Sequence, residues 1–180
     1  MGELTVRPAT PADVPAIAAI YGHSVINATA SFEVVPPEES EMARRMKILT
    51  DGGFPYLVVE REGEVLGYGY AGPYHARAGY RNTVEDTIYL AEKARGQGVG
   101  GFLLRSLIDA ATQLGFRQMT AVIGDSNHHA SIRLHRAAGF EQVGLLKDAG
   151  YKHGQWLDVV LMQRVLGPGA SVPPDSPPLR

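Results

Sequence analysis

One stretch limits the fold of this chain more than any other: Arg95-Gly96-Gln97-Gly98-Val99-Gly100-Gly101. It follows Thr83–Leu90, whose alternating residues read as a strand with Glu85, Thr87 and Tyr89 on one face. It precedes Leu103, Leu104, Leu107, Ile108, Ala111 and Leu114, a stripe that reads as a helix from Val99 closed by Gly115. Clustered glycines let successive backbone N–H groups turn into one concavity, and the helix N-terminus adds partial positive charge, so a diphosphate can sit there. Arg95 would add a full charge. The same glycines would also serve a tight connection that needs them on steric grounds alone.

Around this turn the pattern alternates between periods. Leu4–Arg7 reads as a short strand, and Thr10-Pro11-Ala12-Asp13 opens a helix expected to reach about His23. A second helix is expected over Pro37–Leu49, with Asn27–Val35 a loop between them. Tyr56–Arg61 and Val65–Ala71 flank Glu62-Gly63-Glu64 as an antiparallel hairpin. After the central helix come a buried strand at Met119–Ile123, a short helix at Ala130–Ala138, and strands at Gln142–Leu146 and Leu157–Val165. At 180 residues there is room for one domain, expected over 1–166. The last fourteen residues hold five prolines and no hydrophobic period, so 167–180 is expected to be a disordered tail.

Composition excludes several classes. A net charge of −2 gives no bulk positive field to recruit nucleic acid or an anionic membrane. With no cysteine there is no disulfide framework, thiolate zinc site or cysteine nucleophile. His128 and His129 adjoin without a third ligand at helical spacing, so no metal is expected. No apolar run approaches the roughly 20 residues that span a bilayer, and the first residues lack a basic start followed by an apolar core. A cytoplasmic protein is expected.

Two ligands compete for the turn. Gly96, Gly98 and Gly101 satisfy G-x-G-x-x-G, and Asp125 stands near the end of the next strand, where a dinucleotide-binding fold keeps its ribose acid. Against that, the residues AEKAR separate the strand from the first glycine, and the chain beyond the turn does not supply a second mononucleotide half. Read as Arg95-x-x-Gly98-x-Gly100, the turn resembles the signature of the GCN5-related N-acetyltransferases, which cradle the pyrophosphate of acetyl-CoA. The stretches RPATPADVPAI, GYAGPYHARAGYRNTVEDTIYL, SIRLHRAAGF and AGYKHGQWLDVVLMQ are similar to the phosphinothricin and methionine sulfoximine acetyltransferase branch. The resemblance covers about residues 4–165. It implies an α/β (α+β) fold with a mixed, largely antiparallel sheet flanked by helices. It also implies acetyl transfer from acetyl-CoA, without a metal, to the α-amine of a small amino acid or analogue, usually by a homodimer.

The chemistry needs particular groups. An ammonium must lose a proton before its nitrogen attacks a thioester, and the resemblance puts Glu85 beside that amine as the base. Asp86 points to the other side of the strand and is the weaker choice. An oxyanion wants a fixed donor, which the resemblance takes from the backbone N–H of Ile88, Tyr89 or Leu90. His135 occupies the slot where many relatives keep a tyrosine; it would protonate the departing thiolate or bind the cofactor, or else pack on a helix face. The cofactor site implied is Arg95, Gly96, Gln97, Gly98, Val99, Gly100 and Gly101 with His128 and Ser131, where His128 stands in place of the family's usual asparagine and Asn127 lies one position early. For the acceptor the resemblance gives Phe32, Tyr70, Arg77, Tyr80 and Thr87, with arginine suited to a carboxylate. Arg81 departs from some relatives. The other readings open to this sequence are acetylation of a peptide terminus or polyamine, a dinucleotide-dependent oxidoreductase, and an acyl-CoA-binding module that would not need Glu85.

Overall fold

The computed structural model describes residues 2–174 and 176–179. Along the chain come β1 (Leu4–Pro8), α1 (Val14–Asn27), α2 (Glu39–Asp51), β2 (Tyr56–Arg61), β3 (Glu64–Pro73) and β4 (Thr83–Leu90). Then come α3 (Val99–Gln113), β5 (Gln118–Gly124), α4 (His129–Ala137), β6 (Glu141–Lys152) and β7 (Gln155–Val165). The strands form one sheet in the order β1-β2-β3-β4-β5-β7-β6. Every neighbouring pair is antiparallel except β4 and β5, which α3 connects in parallel. This is the mixed, largely antiparallel α/β sheet expected from the sequence.

Helices cover both faces. On one side Ile17 and Val25 of α1 and Met42 and Met46 of α2 pack on Tyr56, Val58 and Tyr68. On the other, Leu103, Leu104 and Leu107 of α3, all fully buried, pack on Val59, Val84, Met119 and Met162. Because strand side chains alternate, β4 serves both layers. Val84 lies in the α3 core, whereas Tyr89 packs on the α1 and α2 cluster. No helix among the described residues is long and apolar enough to cross a membrane.

Several boundaries differ from expectation. α1 runs about one turn past His23, and α2 starts at Glu39 rather than Pro37, because Pro36 and Pro37 hold the preceding backbone out of the helix. The largest difference is at the C-terminal hairpin. Gln142–Leu146 and Leu157–Val165 are only the apolar ends of two longer strands that meet at His153-Gly154. The register shifts between Leu146 and Gly150. There Asp148 sits at φ 52° and its N–H donates to Asp158 Oδ1 at 3.1 Å. Such a bulge breaks the alternation that a sequence reading relies on. Beyond Val165 the described residues form turns without helix or strand, and Leu179 packs against the α3 core.

The entry to α1 is pinned by charge. Asp13 is buried and receives Arg7 through Nη1 and Nη2, each at 2.8 Å, and the Thr10 N–H at 2.7 Å. The hydrogen bonds from Arg7 outweigh burial and hold the Asp13 carboxyl down to about 2. A depressed carboxylate stabilises the fold above its unfolded pKa of about 4 and loses that contribution as pH falls through the folded value. Asp13→Asn is therefore expected to lower stability by about 2 kcal/mol at pH 7. In urea melts its deficit against wild type should shrink between pH 4 and pH 2.

Candidate active site

The parallel pairing of β4 with β5 extends only from Thr83↔Gln118 to Asp86↔Ala121. β4 continues to Leu90 on β3, and β5 continues to Gly124 on β7. Past Asp86 the two strands part. A cleft of about 180 Å³ opens between them, lined by Glu85–Tyr89, Ala121–Gly124, Ala30, His128, Ser131 and His135. A wider groove of about 690 Å³ lies between the start of α1 and α2. We place the chemistry in the smaller cleft because it alone gathers a half-buried carboxylate, a buried histidine and an unpaired strand edge.

That edge has a direction. The Ala91 N–H donates to Leu66 O at 2.9 Å and the Tyr74 N–H to Thr83 O at 3.4 Å. Odd-numbered residues of β4 thus turn their backbone groups toward β3, and even-numbered residues toward β5. Val84 O, which accepts from Thr120 Oγ1 at 3.2 Å, agrees with this alternation. The amides of Ile88 and Leu90 therefore face the opening. The amide of Tyr89 faces β3, so of the three oxyanion donors considered from sequence it is the one turned away.

Glu85 lies opposite Gly72 of β3, on the same side of the strand as Thr87 and Tyr89. Its carboxylate has no hydrogen-bond partner among the described residues. Burial pushes its pKa up, and the negative charge of Asp86 adds to the shift. Beside it rises an aromatic wall. Tyr70, Tyr56 and Tyr68 stack with centroids 5.0 and 5.8 Å apart, Tyr68 continues to Tyr89 at 5.7 Å, and Tyr21 meets Tyr89 edge-on at 4.9 Å. Burial raises the pKa of Tyr70, so its hydroxyl stays a donor at neutral pH.

Asp86 takes the opposite face and engages His135. Nε2 of the ring lies 3.0 Å from Asp86 Oδ2, and Nδ1 lies 2.8 Å from Ser131 O. Both side chains are buried, at 5% exposure for His135 and 1% for Asp86, and Asp86 Oδ1 has no partner. With an acceptor at each nitrogen the ring fits the doubly protonated imidazolium. Burial opposes that charge, but the Asp86 hydrogen bond and charge and the Ser131 carbonyl outweigh it, and the His135 pKa is raised. His135 is thus packed on its helix face with Nδ1 at a backbone carbonyl, and Nε2 is directed at Asp86.

The glycine turn stands at the mouth. Gly96 and Gly98 adopt φ 74° and 78°, and a Cβ on either would meet open space. Both glycines are required by backbone conformation, not crowding. Gly100 is the reverse, since its Cβ would stand 3.1 Å from Leu90 Cδ1. Arg95 is exposed, and its charge, together with burial, lowers the pKa of His128. His128 lines the cleft and Asn127 does not. Gln97 turns its side chain away to Lys93 O and Arg61 Nη1. The fit to an acetyl-CoA diphosphate is therefore with the backbone of Gly96–Gly101 and with Arg95.

Thr87 lines the cleft, Tyr70 stands opposite it on β3, and the Phe32 ring lies against Gly124 and Gly150. Arg77 and Tyr80 stay on the exposed loop between β3 and β4, where Tyr80 packs on Tyr74 and His75. Asp125, the ribose acid of the dinucleotide reading, is occupied by Thr29 Oγ1 at 2.7 Å and the Asn127 N–H at 2.8 Å. Sequence reasoning missed the Asp86–His135 pair and Lys152, which is buried where β6 passes the α1–α2 loop. The alternation of β4 put Asp86 on the second face, but nothing in the sequence placed a histidine from α4 there.

Comparison with known proteins agrees with this geometry. The pattern of the acetyltransferase (GNAT) domain matches residues 6–161. The phosphinothricin N-acetyltransferase of Alcaligenes faecalis is 50% identical over 171 residues, covering 95% of this chain and 87% of that one. An L-methionine sulfoximine/L-methionine sulfone acetyltransferase of Pseudomonas paraeruginosa is 39% identical over 170 residues, covering 94% and 98%. Among solved structures, a GNAT superfamily phosphinothricin acetyltransferase from Sinorhizobium meliloti in complex with AcCoA superposes with a TM-score of 0.94. It is 49% identical, with 96% of this chain and 94% of that one covered.

The buried pair gives a pH signature. A raised histidine stabilises the fold below its unfolded pKa of about 6.5, and the contribution is lost as pH rises through the folded value. Asp86→Asn is expected to cost about 3 kcal/mol at pH 6. The difference from wild type should narrow at higher pH in denaturant melts, and a deficit independent of pH would remove the imidazolium assignment.

Proposed function

On the premise that this chain belongs to the GNAT acetyltransferase family, we propose that its acceptor is the α-amine of a small amino acid or analogue of the phosphinothricin, methionine sulfoximine or methionine sulfone type. The chain is an acetyl-CoA-dependent acetyltransferase. The observation that carries the acceptor side is Glu85, a half-buried carboxylate free of protein partners among the described residues, at the point where β4 leaves β5. The names of the relatives supply the acceptor class.

Arg95, His128, Ser131 and the backbone of Gly96–Gly101 hold acetyl-CoA with its thioester between β4 and β5. Glu85 takes a proton from the acceptor ammonium, directly or through water, and a raised pKa suits it to receive one. The free amine attacks the thioester carbonyl carbon in a ternary complex. Negative charge develops on the carbonyl oxygen and is met by the outward amide of Ile88 or Leu90. The C–S bond breaks and the thiolate, of ordinary pKa ~8.5, takes up a proton while the new amide nitrogen gives up its second one, so the protons balance, with His135 as the acid that relays the proton. Phe32, Tyr70 and Thr87 wall the acceptor, while Arg77 and Tyr80, on the exposed side of the rim, close on its carboxylate. A polyamine acceptor would favour acids where Arg77 and Arg81 stand.

A homodimer, and the cytoplasm as the compartment where acetyl-CoA is drawn on, complete the reading. What supports the dimer is the outer strand of the sheet. On β6 and its hairpin partner Val143, Leu145, Leu146, Tyr151 and Trp156 are 41–64% exposed, which is more apolar surface than a solitary edge usually carries. Leu146→Lys should shift sedimentation from dimer to monomer. A wild-type chain that sediments as a monomer at micromolar concentration would remove the dimer.

Thiol release from acetyl-CoA tests the reaction. We expect turnover with methionine sulfone, methionine sulfoximine or phosphinothricin to exceed that with spermidine or a short peptide. Glu85→Gln should lower kcat/KM by about 10²-fold or more, with acetyl-CoA binding kept. The acid limb of the wild-type pH profile should lie above the ordinary glutamate value of about 4.3. His135→Gln should lower kcat at least about tenfold without raising the acceptor KM. Turnover of the peptide or polyamine in preference to the amino acids would overturn the acceptor class.

A further inference from the structure

Lys152 is a cation that takes no part in the acetyl transfer described above. It is 3% exposed, yet no carboxylate forms an ion pair with it among the described residues. Its Nζ donates instead to two backbone carbonyls, Ala28 O at 2.8 Å and Ser31 O at 2.6 Å. Burial lowers its pKa, with the charge of Glu33 opposing. Placing an ammonium against neutral carbonyls, remote in sequence from β6, is costly unless the hydrogen bonds made are good ones.

The segment it grips is the connection from α1 to α2, which has no ladder of its own. Other contacts reach the same few residues. Thr29 Oγ1 donates to Asp125 Oδ2 at 2.7 Å, and Tyr21 Oη and Ser31 Oγ share a hydrogen bond at 2.9 Å. Two glycines form the seat beneath. A Cβ on Gly124 would stand 3.0 Å from Thr29 O and 3.2 Å from Ala30 O. A Cβ on Gly150 would collide with the Phe32 ring. The segment therefore lies directly on the ends of β5 and β6, and Ala30 becomes a wall of the catalytic cleft.

We infer that Lys152 is a positioning residue for the acceptor side of the site: by holding the carbonyls of Ala28 and Ser31 it fixes Ala30 and Phe32, so acceptor affinity depends on it and acetyl-CoA affinity does not. The acceptor half of this statement rests on the proposed function; the tether half does not. Acetyl-CoA is expected to meet β4, α3 and α4, to none of which Lys152 Nζ donates.

Two measurements on Lys152→Met separate the halves. Hydrogen exchange on the ligand-free protein reads the tether alone. Amides of residues 28–35 should exchange roughly tenfold faster, as loss of charge-assisted hydrogen bonds implies, while peptides from β4 and α3 keep their wild-type rates. Steady-state kinetics then reads the acceptor. The KM for the best amino-acid acceptor should rise about tenfold or more, with the acetyl-CoA KM within about twofold of wild type and partial rescue by Lys152→Arg, which also donates to carbonyls. Unchanged exchange at 28–35 would overturn the tether, whatever the acceptor proves to be. Faster exchange with an unchanged acceptor KM would overturn the positioning role. Should wild type turn over no amino acid, the acceptor class falls and the same KM comparison is made with the amine that is turned over. If Lys152→Met does not fold, Ser31→Ala removes the hydrogen bond to Tyr21 from the same segment and must give the same selective pattern; equal effects on both substrates would overturn the inference.

Discussion

The fold depends on one parallel strand pair that comes apart. β4 and β5 are joined through α3, so they run side by side in the same direction, but each is also committed to an antiparallel partner on its far side. Their ladder holds from Asp86 and Ala121 backward and ends there. Interior strand edges normally keep their amides paired, because a buried amide without a partner costs a few kcal/mol. An opened edge inside the sheet is therefore unfavourable unless something else meets its donors. The same opening that weakens the sheet leaves the amides of Ile88 and Leu90 turned to the cleft.

From that split the division of labour on β4 emerges by geometry alone. Consecutive strand residues face opposite layers, so two neighbouring acids, Glu85 and Asp86, reach different environments although they adjoin in sequence. Glu85 meets the aromatic side under α1 and α2, is half buried without a partner, and has its pKa pushed up. Asp86 is enclosed on the α3 and α4 side and is paired with His135. Two groups of the same chemistry thus meet different environments, one pushed up by burial and one paired with a buried histidine.

What the sequence made legible was local. The glycine turn, the α3 stripe and the alternation of β4 each declare themselves within about fifteen residues, and the structure has each of them. The turn even distinguishes its glycines, since Gly96 and Gly98 are needed for φ and Gly100 for its approach to Leu90. Features built across long separations stayed hidden. Asp86 and His135 are 49 residues apart, and Lys152 reaches Ser31 across 121. The β6 extension was invisible for a different reason: its Lys147–Tyr151 stretch carries a bulge at Asp148, which destroys the two-residue period at the very place where the hairpin continues.

The two halves of the site are consequently held by different kinds of structure. On the proposed reading acetyl-CoA would meet backbone amides and helix ends of β4, α3 and α4, whose positions are set by the sheet and its core. On the same reading the acceptor would meet the α1–α2 connection, which is seated on the ends of β5 and β6, and the β3–β4 loop. These segments have no shared ladder, so discrete polar contacts such as Lys152 to Ala28 and Ser31 must supply the rigidity that strands supply elsewhere. Substitutions there can reshape the acceptor pocket without disturbing the sheet beneath it. That separation is why the glycine turn declares itself in a few residues, whereas the seating of the α1–α2 connection on Lys152 appears only once distant segments are brought together.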